Sequence, residues 1–428
     1  MATDAIAKYL SRHAESATAD LAAVSGAWSH AVVIPCAAEG PAFFQTLQSL
    51  EKAADSCGAR PLVVVVINGR LDAPEHVHQA NVALDDALSQ RATAESAAHD
   101  GLRTLVVGAL TLLVCARHRE GARFPADQGV GLARKLGCDL ALALWAAGRI
   151  DDPWLRTTDA DAEVPSDYFA GPAISDVAAF IYPFVHDPAP PALVRYEIKL
   201  RYVALGLHWA GSPYAYQAVG STIAVHAGAY AKVHGFPKRL AAEDFYFLDK
   251  LAKLGGILRS RRSPIRLRGR PSDRVPFGTG AGMAQIAADE GQGQPLHLYA
   301  PEVWDALRAW LTQLRALRAA DDLETMTPEW AVNRHGGALS RILSQDAPPE
   351  TRDRQLETYF DAIRRLRFLH ITRDGGLPSI PWREALERAP FIPTLDAHAD
   401  ASALLEALQT YESELMLGAV VGPGSSGR

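Results

Sequence analysis

Thr158-Asp159-Ala160-Asp161 sets two carboxylates at i and i+2. If the backbone turns there, both converge on one hard divalent cation, which also takes water and phosphate oxygens. Such a cation neutralises charge on a diphosphate leaving group. The competing reading is an ordinary solvated acidic turn, and the strand-like run before the motif favours chemistry. Glu243-Asp244 opens the segment FYFLDKLAKLGG. Acids in a first helical turn stabilise the helix dipole by about 0.3–1 kcal/mol. A carboxylate fixed there beside a pocket also serves as a general base toward an attacking hydroxyl. Arg134-Lys135 in GVGLARKLG follow a glycine loop into a helix start. There cations either meet a diphosphate or face water.

Two further groups stand out. Arg259, Arg261, Arg262, Arg266, Arg268, Arg270 and Arg274 form a local basic excess before the glycine-containing PFGTG. Such a segment closes over phosphates, pairs with an anionic acceptor or membrane surface, or is a solvated basic strand pair. Tyr196, Glu197, Arg201, Tyr202, His208, Trp209, Tyr214, Tyr216 and Gln217 suit a polyol ring or an ordinary half-buried interface. His186, His208, His226 and His234 are each more readily structural than ligating.

The elements that must position these groups follow from periodicity. Ala31 to Pro35 and the run PLVVVVINGR read as strands covered on both faces, joined by a helix over PAFFQTLQSLEKAADSCG that stops at Gly58. About 30 residues separate the strands, the spacing of a βαβ unit. Residues 72–103 read as helix with loops, and LTLLVCARH as a third strand. A helix follows from Val130 to about Ala147, then a short strand before the acidic turn. The alternation predicts an α/β nucleotide-binding architecture. From about 285 onward amphipathic helical patterns dominate, WDALRAWLTQLRALRAAD and RQLETYFDAIRRLRFLHI among them. The expected division is an N-terminal helix over 1–27, an α/β domain over 28–285, a helical appendage over 286–415 and a disordered tail over 416–428.

Hydrophobic residues at 48% and charged residues at 21% exclude a wholly disordered, collagen-like or coiled-coil chain. Lys+Arg 43 against Asp+Glu 49, net −6 over 428 residues, disfavours nucleic acid as a partner. Cys36, Cys57, Cys115 and Cys138 show neither disulfide-framework nor zinc spacing. The longest apolar stretch, Leu105 to Ala116, falls short of the roughly 18 residues of a membrane span, and no secretory signal opens the chain. A cytoplasmic protein, with peripheral membrane contact open, is the expectation.

Taken in order, AVVIPCAAEG, VVVVINGR, GVGLARKLG, TTDADAEVPSDYF and VGSTIAVHAGAYAKVHGFPKRLAAEDFYF resemble a family-2-type glycosyltransferase of the GT-A fold over residues 30–280. The resemblance implies a Rossmann-like nucleotide-diphospho-sugar transferase domain with an unmatched C-terminal helical appendage. It implies a metal-dependent, inverting transfer of one sugar from a nucleotide-diphosphate sugar to a hydroxyl acceptor. Pro35, Ala37, Glu39 and Asn68 would hold base and ribose; Asn68 stands where relatives often carry an acid. Arg134, Lys135, Arg270 and Arg274, by the residue reading above rather than by the resemblance, would contact the diphosphate. Asp159 would face the ribose or a metal-bound water, and Asp161 would ligate Mn2+ or Mg2+, with Asp273 as a further ligand. Asp244, beside Glu243, would be the base. The QxxRW signature of processive synthases is absent. The alternatives are a nucleotidyltransferase or a non-catalytic nucleotide-sugar binder on the same scaffold. A haloacid-dehalogenase phosphatase is disfavoured, because Arg156-Thr157-Thr158 replaces the apolar strand that class needs before its first Asp.

Overall fold

The computed structural model describes residues 2–97, 101–172, 174, 176–187, 189–269, 278–320, 322–323, 329–396 and 399–423. The chain divides into two compact units, Met1–Ala189 with Ala218–Ala281, and Pro190–Gln217 with Gly282–Arg428. Segment 190–217, expected within the α/β domain, is therefore counted with the helical unit.

The first unit opens with helix α1 (Ala2–Arg12), a 3-10 turn over Ser16–Ala23, and strand β1 (His30–Cys36). Just past the end of α1 the Glu15 N–H donates to the buried Asp139 carboxylate at 2.9 Å, tying this segment to the first unit's interior. Then come α2 (Ala42–Cys57), β2 (Pro61–Asn68), α3 (Glu75–Arg91), β3 (Ala94–Ala97), β4 (Leu102–Val107) and β5 (Leu110–Arg117). The apolar run Leu105–Ala116 is not one strand. Gly108, at φ 58°, turns it into a β4–β5 hairpin. Next are α4 (Val130–Ala146), β6 (Trp154–Thr157), β7 (Ala162–Glu163), β8 (Ala179–Ile181) and β9 (Phe184–His186). After α5 (Pro191–Trp209), which lies in the second unit, the first unit resumes with β10 (Ile223–His226), α6 (Ala227–Lys232), α7 (Glu243–Gly255), β11 (Ile257–Arg259) and β12 (Ile265–Leu267).

The main sheet of this unit runs β11-β8-β10-β6-β1-β2-β5-β4-β3. Strands β6, β1, β2 and β5 are parallel, with Val33 opposite both Val64 and Thr157, and Val65 opposite Val114. Every residue of β2 is buried, as expected of a parallel strand covered on both faces. Strand β10 enters antiparallel between β6 and β8. Helix α4 lies directly on β1 and β2: a Cβ at Gly137 would sit 2.3 Å from Val33 Cγ1. The result is a mixed α/β unit around a large central sheet. Successive strands β1, β2 and β5 step one way, while β6 lies on the other side of β1. That reversal makes the carboxyl ends of β1 and β6 a topological switch point, the place where open α/β sheets take ligands.

The second unit is helical. Its α5 carries Arg201, buried between Glu197 of the same helix and Glu412. Gln409 donates to Glu197 at 2.7 Å and Gln217 to Glu412 at 2.5 Å. The aromatic and polar group of the sequence thus contributes a satisfied buried charge network. Trp304 is fully buried and packs so closely on Gly206 that a Cβ there would lie 2.5 Å from its ring. The pattern RQLETYFDAIRRLRFLHI breaks into two helices, Pro349–Tyr359 and Ala362–Asp374, because Asp361 adopts an extended backbone and caps the second through the Arg364 N–H at 3.1 Å. Helix Ala401–Met416 runs to the start of the expected tail, and residues 424–428 lie outside the described chain. No helix among the described residues is long and apolar enough to cross a membrane.

Candidate active site

The acidic turn after β6 is held from two sides. Thr46 of α2 donates to the Ala160 carbonyl at 2.9 Å, and the Val164 N–H donates to Ser49 of the same helix at 3.0 Å. Thr157 donates to the Gly220 carbonyl at 2.7 Å, tying the turn to the segment that enters β10. Arg134 reaches this turn from α4. Its Nη2 donates to Asp159 Oδ1 at 2.8 Å, and its Nε to Glu243 Oε1 at 3.0 Å. Ser221 donates to the other Asp159 oxygen. One guanidinium therefore joins the turn after β6 to the first residue of α7.

Arg134 is 3% exposed. Burial opposes its charge, but Asp159 and Glu243 outweigh burial and raise its pKa. Its third nitrogen, Nη1, is buried without a hydrogen-bond partner among the described residues, as is Thr158 Oγ1. A buried donor left open on a strongly held cation is the arrangement that receives an anionic oxygen.

Asp244 follows Glu243 in the first turn of α7. Burial, then the neighbouring Glu243 charge, push its carboxyl up to about 7; Arg134 and the Phe245 N–H pull it back, and Asp159 pushes it further. The residue before the pair, Ala242, holds φ 60°, a left-handed backbone that directs the start of α7. Asp159, Arg134, Glu243 and Asp244 are thus brought together, with Asp161 two residues along the same turn.

The other expected site residues divide. Pro35 is buried in β1, Ala37 is half-buried, and Glu39 is 8% exposed in the loop that follows. Asn68, at the end of β2, is buried with Oδ1 lacking a partner among the described residues. Loop and strand end are clamped by Asn81 of α3, whose Oδ1 accepts from the Ala38 N–H at 2.8 Å and whose Nδ2 donates to the Asn68 carbonyl at 3.0 Å. Ala38 sits at φ 54° under this clamp.

Lys135 is not brought to the acidic turn. Its Nζ donates to Asp139 at 2.6 Å, Tyr9 OH at 3.0 Å and the His13 carbonyl at 2.7 Å, so it anchors the N-terminal helix. The start of α4 is itself covered: the Gly131 N–H donates to the Arg239 carbonyl at 3.2 Å, and a Cβ at Gly131 would lie 2.3 Å from the Pro237 carbonyl oxygen. Arg134, rather than the helix start, is what α4 presents here.

Three members of the arginine segment, Arg262, Arg266 and Arg268, have local partners. Arg266 pairs with Asp187 at 2.7 Å, Arg268 meets Gln45 and Glu163, Arg262 donates to the Gly171 carbonyl, and Arg259 is buried in β11. Arg270, Asp273 and Arg274 lie outside the described residues. His226 accepts from the Gly228 N–H at 3.1 Å as the cap of α6, and His234 stacks on His13 with ring centres 4.3 Å apart. Among the described residues no three His, Cys, Asp or Glu side chains gather to hold a metal.

Gly220, Ser221 and Asn81 were missed by sequence reasoning. A Cβ at Gly220 would fall 2.3 Å from Arg134 Nη2, so glycine is what admits the guanidinium. The Gly-Ser pair at the mouth of a short apolar strand was the available signal. Asn81 gave none, lying in a polar helix among other polar residues.

No protein-family model matches the chain, and no curated protein matches its sequence. Among solved structures it is similar to a mannosyltransferase, PcManGT, from Pyrobaculum calidifontis, in complex with GDP-Man and Mn2+. That chain is 16% identical over 97% of this one and 96% of its own, at a TM-score of 0.38. It is also similar to a mycobacterial protein, 14% identical over 64% of this chain and 79% of that one, at a TM-score of 0.30. Likenesses this distant carry nothing to individual residues.

Proposed function

We propose that the first unit is a GT-A, family-2-like glycosyltransferase. It moves one sugar from a nucleotide-diphosphate sugar to a hydroxyl acceptor, with inversion and with a divalent cation. The observation that carries this reading is the Arg134 bridge between Asp159 and Glu243, which sets a carboxyl of pKa about 7, Asp244, beside an acidic turn at the sheet's switch point. A general base works best with a pKa near operating pH.

The donor set suits a cation completed by substrate. Asp159 is engaged by Arg134 and Ser221, and Asp161, two residues along the same turn, is the carboxylate assigned to the cation. Mg2+ and similar ions are commonly held by one or two carboxylates plus phosphate oxygens. When bound, Mn2+ or Mg2+ neutralises charge on the departing diphosphate. Arg134 Nη1 donates to a diphosphate oxygen, and Asn81 holds the β1 loop and the β2 end in place for base and ribose. Asp244 accepts the acceptor hydroxyl's proton as that oxygen attacks the anomeric carbon opposite the diphosphate. The bond from that carbon to the diphosphate oxygen breaks, the nucleoside diphosphate leaves, and the anomeric configuration inverts.

The test is a donor screen with Mn2+, read as nucleoside diphosphate released only when a hydroxyl acceptor is present, with the product anomer assigned by NMR. Asp161→Ala should lose cation-dependent donor binding. Asp244→Asn should bind donor and turn over at least about a hundredfold more slowly. Pyrophosphate release from a nucleoside triphosphate and a sugar phosphate would instead establish nucleotidyl transfer.

A further inference from the structure

The second unit contains a half-open cavity of about 900 Å3, within the size range of small-molecule sites, which the proposed transfer does not use. Its apolar wall is Trp310, Phe368, Ile371 and Leu377, and its cationic side is Arg334, Arg364 and Arg367. No Asp or Glu lines it among the described residues. In a chain of net charge −6, three guanidinium groups among the described lining residues are a local cationic excess.

The cations differ in employment. Arg364 donates to Asp361 at 3.1 Å and to the Tyr359 carbonyl at 2.7 Å, with its guanidinium 4.3 Å from the centre of the Tyr359 ring. It is a fixed part of the wall. Arg334 and Arg367 are exposed at the mouth. His335, also in the lining, shares a hydrogen bond of 2.9 Å with Tyr359 OH. Burial lowers the pKa of His335, and Arg364 and Arg334 lower it further, so both guanidinium charges bear on that ring.

We propose that this cavity binds a small organic anion, its apolar body against Trp310, Phe368 and Leu377 and its carboxylate or phosphate head met by Arg334 and Arg367. Guanidinium forks match both heads in a bidentate way, and aromatic walls match a ring or chain. A neutral ligand gains only the apolar wall, and a cationic one is repelled. The concave, ring-walled shape suits a single molecule rather than the face of a bilayer.

The experiment is calorimetric titration of the full chain with 2-naphthoate, 2-naphthyl phosphate, the neutral 2-naphthylmethanol and 2-naphthylmethylammonium. Saturable 1:1 binding of either anion, at least about tenfold tighter than the alcohol, is expected from charge-assisted hydrogen bonds; the stronger of the two names the head group. Arg334→Ala/Arg367→Ala should lose that preference with its melting temperature unchanged, since both side chains are exposed. Arg367→Glu should shift preference toward the ammonium compound and guards against failure of the double variant to fold. Equal binding of alcohol and anions, unchanged affinity in the variants, or no saturable binding overturns the proposal. So does sedimentation with phosphatidylglycerol vesicles without binding of either soluble anion. No sugar transfer is read, so the outcome is independent of the transferase reading.

Discussion

Arg134 Nε lies 3.0 Å from Glu243 Oε1, and the two side chains are 4% and 5% exposed. Removing one partner of such a pair leaves the other charge buried and alone. Arg134→Met should cost about 3–5 kcal/mol, measured by urea unfolding. Arg134→Lys keeps the charge but not the fork, so the folded variant should bind donor diphosphate about tenfold more weakly or worse. Full donor affinity in the lysine variant would remove Arg134 from the site.

Asp244 gives a pH signature. Its carboxyl holds a proton up to about pH 7 in the folded chain, against about 4 for an unfolded one. Between those values the folded state binds more protons, so this group's contribution to stability falls as pH rises. Activity moves the other way, since the base must be unprotonated: kcat/KM should climb through about pH 7 and level off above it. Asp244→Asn should abolish both trends and lower kcat by about 10²–10⁴. A rate flat across neutral pH would assign the base elsewhere.

Gly220→Ala tests how tightly the guanidinium is seated. The added methyl would lie 2.3 Å from Arg134 Nη2. Overpacking of this kind costs about 1–3 kcal/mol. The melting temperature should drop, and transfer should fall more than stability alone explains, because the shifted group is Arg134. Unchanged melting and rate would show that the loop yields.

Asn81→Ala removes both clamps on the loop after β1 and leaves polar atoms unpaired, at about 1–3 kcal/mol. With acceptor and cation sites untouched, the KM for donor should rise while kcat changes little. A fall in kcat at constant KM would contradict a positioning role for Asn81.

Lys135 and Arg134 are adjacent in sequence and opposite in expectation. Lys135→Met strands the fully buried Asp139, so it should destabilise by about 3–5 kcal/mol without weakening donor binding by the folded enzyme. Comparing melting curves with donor titrations separates the two residues.

The strands were legible where burial on two faces forces a continuous β-branched run, as in Val63–Val66, and α4 was legible from the glycine loop and apolar pattern that follow Gln128. The acidic turn and the Glu-Asp helix start were legible as motifs because their chemistry is local. What joins them was not: Arg134 meets Glu243 across 109 residues, and no spacing rule reports that pairing. Asn81 and Ser221 escaped for the same reason, since each acts through a partner remote in the chain. The aromatic run from Tyr196 read equally as a polyol platform or a half-buried interface, because its residue types serve both uses. The ion pair from Arg201 to Glu412 decides for the interior of the helical unit.

The excursion of the chain through α5 has a practical bearing on dissection. A gene product stopped after residue 281 is not the sheet-bearing half alone. It carries a stranded helix on which Arg201 keeps Glu197 but forfeits Glu412. Isolating that half requires excising 190–217 and splicing a short linker between the flanks, and the helical half correspondingly has to be assembled from two pieces of coding sequence.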